Sequence, residues 1–142
     1  MGFQGWLSVE SVGALALVAA MGCTSTGRML DLDFTVSGSS YAGIDARMQV
    51  AADGATAIAR AGHPDEALVL PAEMMAKLRD EIDAADFPSL DDHYESTAFD
   101  DYTYQITVRF EHGSYAVMST DSSNAPDALQ TLDETLTGIA RN

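Results

Sequence analysis

Tyr102-Thr103-Tyr104-Gln105-Ile106-Thr107-Val108-Arg109-Phe110-Glu111 alternates apolar and polar side chains along its length, with Tyr102, Tyr104, Ile106, Val108 and Phe110 on one side. A period of two residues is that of an extended strand, whose successive side chains point to opposite faces, so the stretch predicts a half-buried strand. His112-Gly113 then turns the chain, and Ser114 to Thr120 returns as an antiparallel partner. An antiparallel pair with one apolar face needs a cover, and the sequence supplies candidates on both sides.

Downstream, Leu129, Leu132, Leu136 and Ile139 form one helical apolar stripe, with Asn124 as the expected cap. Upstream lies an acidic loop, Asp91 to Asp100, and before it Phe87-Pro88, which breaks a helix because the residue before proline avoids helical ψ. That helix is expected from Pro71, suited to the first helical position, to about Ala85. Met74, Met75, Leu78, Ile82 and Ala85 share its apolar side, and Glu73, Lys77, Asp80, Glu81 and Asp83 face water.

Further upstream the period returns to two. Leu30, Leu32, Phe34 and Val36 mark one strand, and Ile44, Ala46, Met48 and Val50 mark the next. Asp53-Gly54 signals a hairpin into Ala55 to Ala61, and after the turn Gly62 to Asp65 the run Ala67 to Leu70 is a short further strand. The order βββ(β)αββα predicts a single α+β domain over residues 30–142. Its core is an antiparallel sheet of four to five strands, with two helices packed on one face.

Ahead of the domain stands an apolar run, Val12 to Gly22, that ends at the only cysteine, Cys23. The run is too short to span a bilayer and suits the h-region of a signal peptide. Small residues before Cys23 and Thr24-Ser25-Thr26-Gly27 after it resemble a bacterial lipoprotein signal. The resemblance implies removal of residues 1–22, lipid on Cys23, a tether over residues 23–29, and a cell-envelope location facing periplasm or exterior. A lone cysteine forms no intrachain disulfide, so the domain relies on its core.

Twenty-two acids against seven bases leave a formal charge of −15, and Lys77 is the only lysine. Such a surface repels phosphate backbones and anionic head groups, so no nucleic-acid partner is expected. No Gly-x-Ser-x-Gly elbow, phosphate loop, His-x-x-x-His or Cys-x-x-Cys spacing occurs, and His63, His93 and His112 all fall in turns or loops. We therefore expect no enzyme, no catalytic residue, no metal ligand and no cofactor. Asp91, Asp92, His93, Tyr94 and Glu95, with Asp100 and Asp101, gather carboxylates of the kind that calcium takes. Without the glycine and distal glutamate of an EF-hand, they read as a hydrated acidic loop.

The loop Ser37-Gly38-Ser39-Ser40-Tyr41-Ala42-Gly43 joins the first two strands with small residues. Such a loop suits insertion into a partner's cleft, while composition alone reads it as a plain hairpin connection. With the following Ile44 it resembles the Ser-Gly-Gly-aromatic-Ala-Gly opening of the emfourin family, small protein inhibitors of thermolysin-type metallopeptidases. Asp100 to Val108 is similar to that family's Asp-x-aromatic-x-Tyr strand. Pro126-Asp127-Ala128-Leu129-Gln130-Thr131-Leu132 resembles its closing Pro-x-x-Leu-x-x-Leu helix. The same order also resembles uncharacterised bacterial lipoprotein domains. Ser39 stands where the emfourin pattern has glycine, and the first loop is one residue longer. The resemblance implies that Ser37 to Gly43 contact a zinc metallopeptidase. The alternative is a structural or interaction lipoprotein of the envelope with no peptidase partner.

Overall fold

The computed structural model describes residues 26–38, 46–95, 102–121 and 123–141. Cys23 with the apolar run before it, Ser39 to Gly43, and Asp100 and Asp101 lie outside the described residues. Among those described, one sheet holds β1 (Met29–Ser37), β2 (Ala46–Ala51), β3 (Ala55–Arg60), β4 (Glu66–Val69), β5 (His93–Tyr94), β6 (Thr103–Phe110) and β7 (Gly113–Thr120). Two helices, α1 (Ala72–Ala85) and α2 (Asp127–Arg141), complete the α+β fold. The strand order is β4-β3-β2-β1-β6-β7-β5. All neighbours are antiparallel except β5 with β7.

The alternating Tyr102–Glu111 stretch is β6, paired with the central strand β1. Leu32 faces Val108 and Phe34 faces Ile106 across that pair, while Val50 and Met48 face them from β2. A slip of one residue would turn every apolar side chain of β6 to water, so burial of this face holds the register. Leu32, Phe34, Met48, Ile58, Ile106 and Val108 are each at most 1 % exposed. The opposite face stays wet. There Arg47 Nη2 pairs with Asp33 at 2.8 Å and Arg109 pairs with Asp31. Partial burial pulls the Asp33 carboxyl up, but hydrogen bonds from Arg47 and Gln49 outweigh it and hold Asp33 below the usual carboxylate range.

Both helices cover the apolar face, one over each end of the strands. Over the β2–β3 turn, the Leu70 N–H donates to the Gly54 carbonyl at 2.9 Å, and Arg79 Nη2 of α1 donates to the Ala52 carbonyl at 2.8 Å. Over the other end, the Ser119 hydroxyl donates to Asp133 of α2 at 2.8 Å, and Arg60 donates to the Ala140 carbonyl. Between the helices, Lys77 donates to the Thr135 hydroxyl at 3.2 Å, which donates to Glu81 at 3.1 Å. Met75, Leu78 and Ile82 from α1 and Leu129, Leu132 and Leu136 from α2 close the core.

The sheet is wider than the four or five strands expected. The added β5 is two residues inside the acidic loop, too short to show any period, and the Met118 N–H donates to the Asp92 carbonyl at 2.8 Å beside it. Pro71 is the cap rather than the first helical residue: it is extended (ψ 154°), and its carbonyl accepts the Met75 N–H at 3.0 Å. The helix stops before Pro88 acts. Asp86 takes a left-handed φ of 53°, which re-aims the chain so that Phe87, 2 % exposed, enters the core and opens a 3-10 turn. Asn124 does not cap α2. The Pro126 carbonyl accepts from Leu129 and Gln130 at 3.0 Å each, so the helix begins two residues further on than an Asn124 cap implies.

Thr26, Gly27 and Arg28, expected within a soft tether, continue the β1–β6 ladder. The Thr26 carbonyl accepts the His112 N–H at 3.0 Å, and the Arg28 carbonyl accepts the Glu111 N–H at 2.9 Å. The Arg28 N–H in turn donates to the Glu111 carboxylate at 2.9 Å, which holds that carboxyl below its usual range.

Candidate functional site

The hairpin between β1 and β2 leaves the sheet at its α2 end. Its base is rigid because Val36 pairs with Ala46 on one side and Ser37 with Thr103 on the other. Antiparallel order brings three other connections to the same end. These are the β3–β4 turn, where the His63 N–H donates to the Arg60 carbonyl at 3.1 Å, the approach to β6, and the β7–α2 connection. Of the seven residues expected to contact a partner, Ser37 is the last residue of β1 and Gly38 follows it; the other five are the undescribed ones named above. A shallow hollow of about 350 Å³ lies at the hairpin base on the wet face, with Thr35, Ser37, Arg47 and Ala59 in its wall.

Beneath the hairpin base runs a polar layer that ties sheet to helix. The Tyr104 hydroxyl donates to the Asp121 carboxylate, which also accepts the Tyr102 N–H at 3.2 Å. Burial first, and then the hydrogen bond to Asp121 and its charge, push the Tyr104 phenol well above its ordinary value. Asp133 Oδ2 accepts the Ser119 hydroxyl, Asp133 Oδ1 has no hydrogen-bond partner among the described residues, and the residue is 4 % exposed. Burial pushes the Asp133 carboxyl up to about 7. The Ser119 hydrogen bond opposes that rise, and the charges of Asp121 and Glu134 add to it.

Sequence reasoning passed over Asp133, although a signal was present. Leu129, Leu132 and Leu136 define a stripe at spacings of three and seven, and the fourth residue after Leu129 is Asp133 itself, which a helix must point into the same core. Tyr104 stacks near Phe34, with ring centroids 6.3 Å apart, and its hydroxyl reaches the Asp121 carboxylate. In the acidic loop, the Asp91 N–H donates to the Tyr94 hydroxyl at 2.9 Å, and Asp91, Asp92, His93 and Glu95 are exposed. Among the described residues no three His, Cys, Asp or Glu side chains converge on one point. No helix among them is long and apolar enough to cross a membrane.

These features define an α+β domain with an open-faced sheet, its connections gathered over a polar layer at one end. The family model of a domain of unknown function, DUF6438, matches residues 42–140, and the chain belongs to that family. No curated protein matches the chain. The family match starts beyond β1, yet β1 is the strand that joins β2 to β6.

Proposed function

We propose that the protein is an envelope-anchored lipoprotein whose domain binds a protein partner through the Ser37–Gly43 hairpin, and that the partner is a thermolysin-type metallopeptidase. The emfourin-like loop, strand and closing helix support the partner class, and the apolar run ending at Cys23 supports the anchor. One observation carries the reading: Thr26 to Arg28, which follow Cys23 in sequence, and Ser37, from which the hairpin departs, lie at opposite ends of the same central strand. β1 covers nine residues from Met29 to Ser37. At about 3.3 Å per residue it separates the two by roughly 26 Å. A lipid on Cys23 thus holds one end of the sheet at the membrane and leaves the hairpin end free to meet a partner. Binding also suits the buried polar groups better than catalysis does. Ser119 and the side chain of Asp133 lie between the sheet and α2 at 2 % and 4 % exposure, where no substrate reaches them.

Residues 24–142, purified without lipid, are expected to inhibit a thermolysin-type peptidase at micromolar concentration. Replacement of Ser39 and Tyr41 by alanine is expected to abolish the effect without changing the melting temperature. Absence of inhibition against several such peptidases refutes the inhibitor reading and leaves the structural lipoprotein. Mass spectrometry of the native protein tests the anchor separately, and a chain beginning at an unmodified Met1 rules it out.

A further inference from the structure

We infer that a cavity at the α1 end of the sheet binds a short apolar peptide of about two residues in its zwitterionic form. The cavity encloses about 530 Å³, within the few hundred to about 1,000 Å³ usual for small-ligand sites. Met29, Ile82 and Phe110 form its apolar floor, each under 9 % exposed, and Arg79 and Asp83 stand on its α1 wall.

Arg79 and Asp83 are one helical turn apart, the spacing at which opposite charges ordinarily pair. Lys77 and Glu81, offset by two residues on the same helix, do so at 3.4 Å. Arg79 and Asp83 do not. Arg79 Nη2 turns to the Ala52 carbonyl, and neither side chain has an ion-pair partner among the described residues. A guanidinium carries five donors, and this hydrogen bond uses one of them. Both charges are therefore available to a third party in the cavity.

The ligand's charge follows from the surroundings. A chain of net charge −15 repels a simple anion, whereas a zwitterion carries no net charge and is not repelled. Its size follows from the spacing. Four residues of helix separate the two side chains by about 6 Å. The ammonium and carboxylate of an extended dipeptide lie about 6–7 Å apart, and those of a free amino acid sit on one carbon. The carboxylate goes to Arg79, with Arg28 beside it on the rim, the ammonium goes to Asp83, and the apolar side chains rest on the floor.

The cavity lies at the end of the sheet away from the Ser37–Gly43 hairpin, so the inference stands or falls independently of the peptidase reading. The test is calorimetric titration of the full chain with leucyl-leucine. Saturable one-to-one binding is expected, weakened about tenfold or more by N-acetylation, by C-terminal amidation, or by substituting free leucine. In Asp83→Asn the acetylated and free peptides should bind equally, and in Arg79→Gln the amidated and free peptides should do so. A variant that loses its fold leaves the decision to the peptide series on the unaltered chain. No saturable binding up to about 10 mM, or equal affinity for the free and end-blocked peptides, overturns the inference.

Discussion

Asp133→Asn tests the physics of the polar layer. Asp133 is 4 % exposed in the stripe that α2 presents to the core, and burial raises its carboxyl from the ordinary 3.8 to about 7. A carboxyl raised on folding binds more protons in the folded than in the unfolded chain between those two values. Its most favourable contribution thus holds below about pH 4, declines as pH rises towards 7, and levels off above. At 1.36 kcal/mol per pH unit the full decline is about 4 kcal/mol, of which roughly 2 is already lost at pH 5. Asparagine is nearly isosteric with the neutral acid and keeps a hydrogen bond to Ser119. The atom replacing Oδ1 inherits that oxygen's want of a partner, an offset that does not depend on pH.

The variant should therefore gain on the parent by about 2 to 3 kcal/mol between pH 5 and pH 8. This corresponds to roughly 10 °C in relative melting temperature for a domain of this size. Urea denaturation at several pH values measures it. Parallel stability–pH curves for parent and variant would refute the assignment of Asp133 as a carboxyl whose ionisation the core opposes.

Three further outcomes follow from the packing. Gly54→Ala forces a side chain onto a φ of +95°, with its Cβ 3.0 Å from the Leu70 carbonyl oxygen; it should cost about 1–3 kcal/mol, read as a lower urea midpoint at unchanged slope. Phe34→Ala removes a fully buried ring from the central strand and should cost about 3–5 kcal/mol, enough to unfold a marginal domain, whereas Val69→Ala, at a site 71 % exposed, should stay within about 0.5 kcal/mol by thermal melting. Arg47→Ala opens the exposed Asp33 pair and should lower the urea midpoint only slightly, a difference that shrinks further in about 0.5 M salt; a loss that salt leaves unchanged argues against an electrostatic origin.

How far each part was legible in the sequence depended on how many residues repeated its signal. β1, β2 and β6 each alternate over six or more residues, and one buried face makes that alternation unambiguous, whereas β3 and β7 were legible through the turns Asp53-Gly54 and His112-Gly113 ahead of them. β5 has two residues and no pattern, since only its pairing with Met118 and Ser119 makes it a strand. The end of α1 was expected at the right place for an incomplete reason: proline chemistry pointed to Phe87-Pro88, but the turn is made by a left-handed Asp86, a conformation that no local rule assigns to aspartate there. Ser37 read as loop because serine and glycine cluster after it, yet its backbone bonds to Thr103, 66 positions later in the chain, and belongs to β1. Asp83 looked like an ordinary solvated residue of α1 and Arg79 entered no reading, because nothing in their spacing tells that Arg79 turns to the Ala52 carbonyl.

By itself, then, the sequence determined the α+β class, the two covering helices, the apolar face of each long strand and the acidic, lysine-poor surface. These are local quantities, written in periods of 2 and 3.6 residues and in charge counts. Tertiary structure alone decided that β1 lies at the centre of seven strands, that Thr26 to Arg28 and Ser37 occupy opposite ends of it, and that the Asp133 side chain is buried between α2 and the sheet. Each of these depends on contacts between residues far apart in the chain, where the free energy of burying one shared face, rather than any local preference, selects the arrangement.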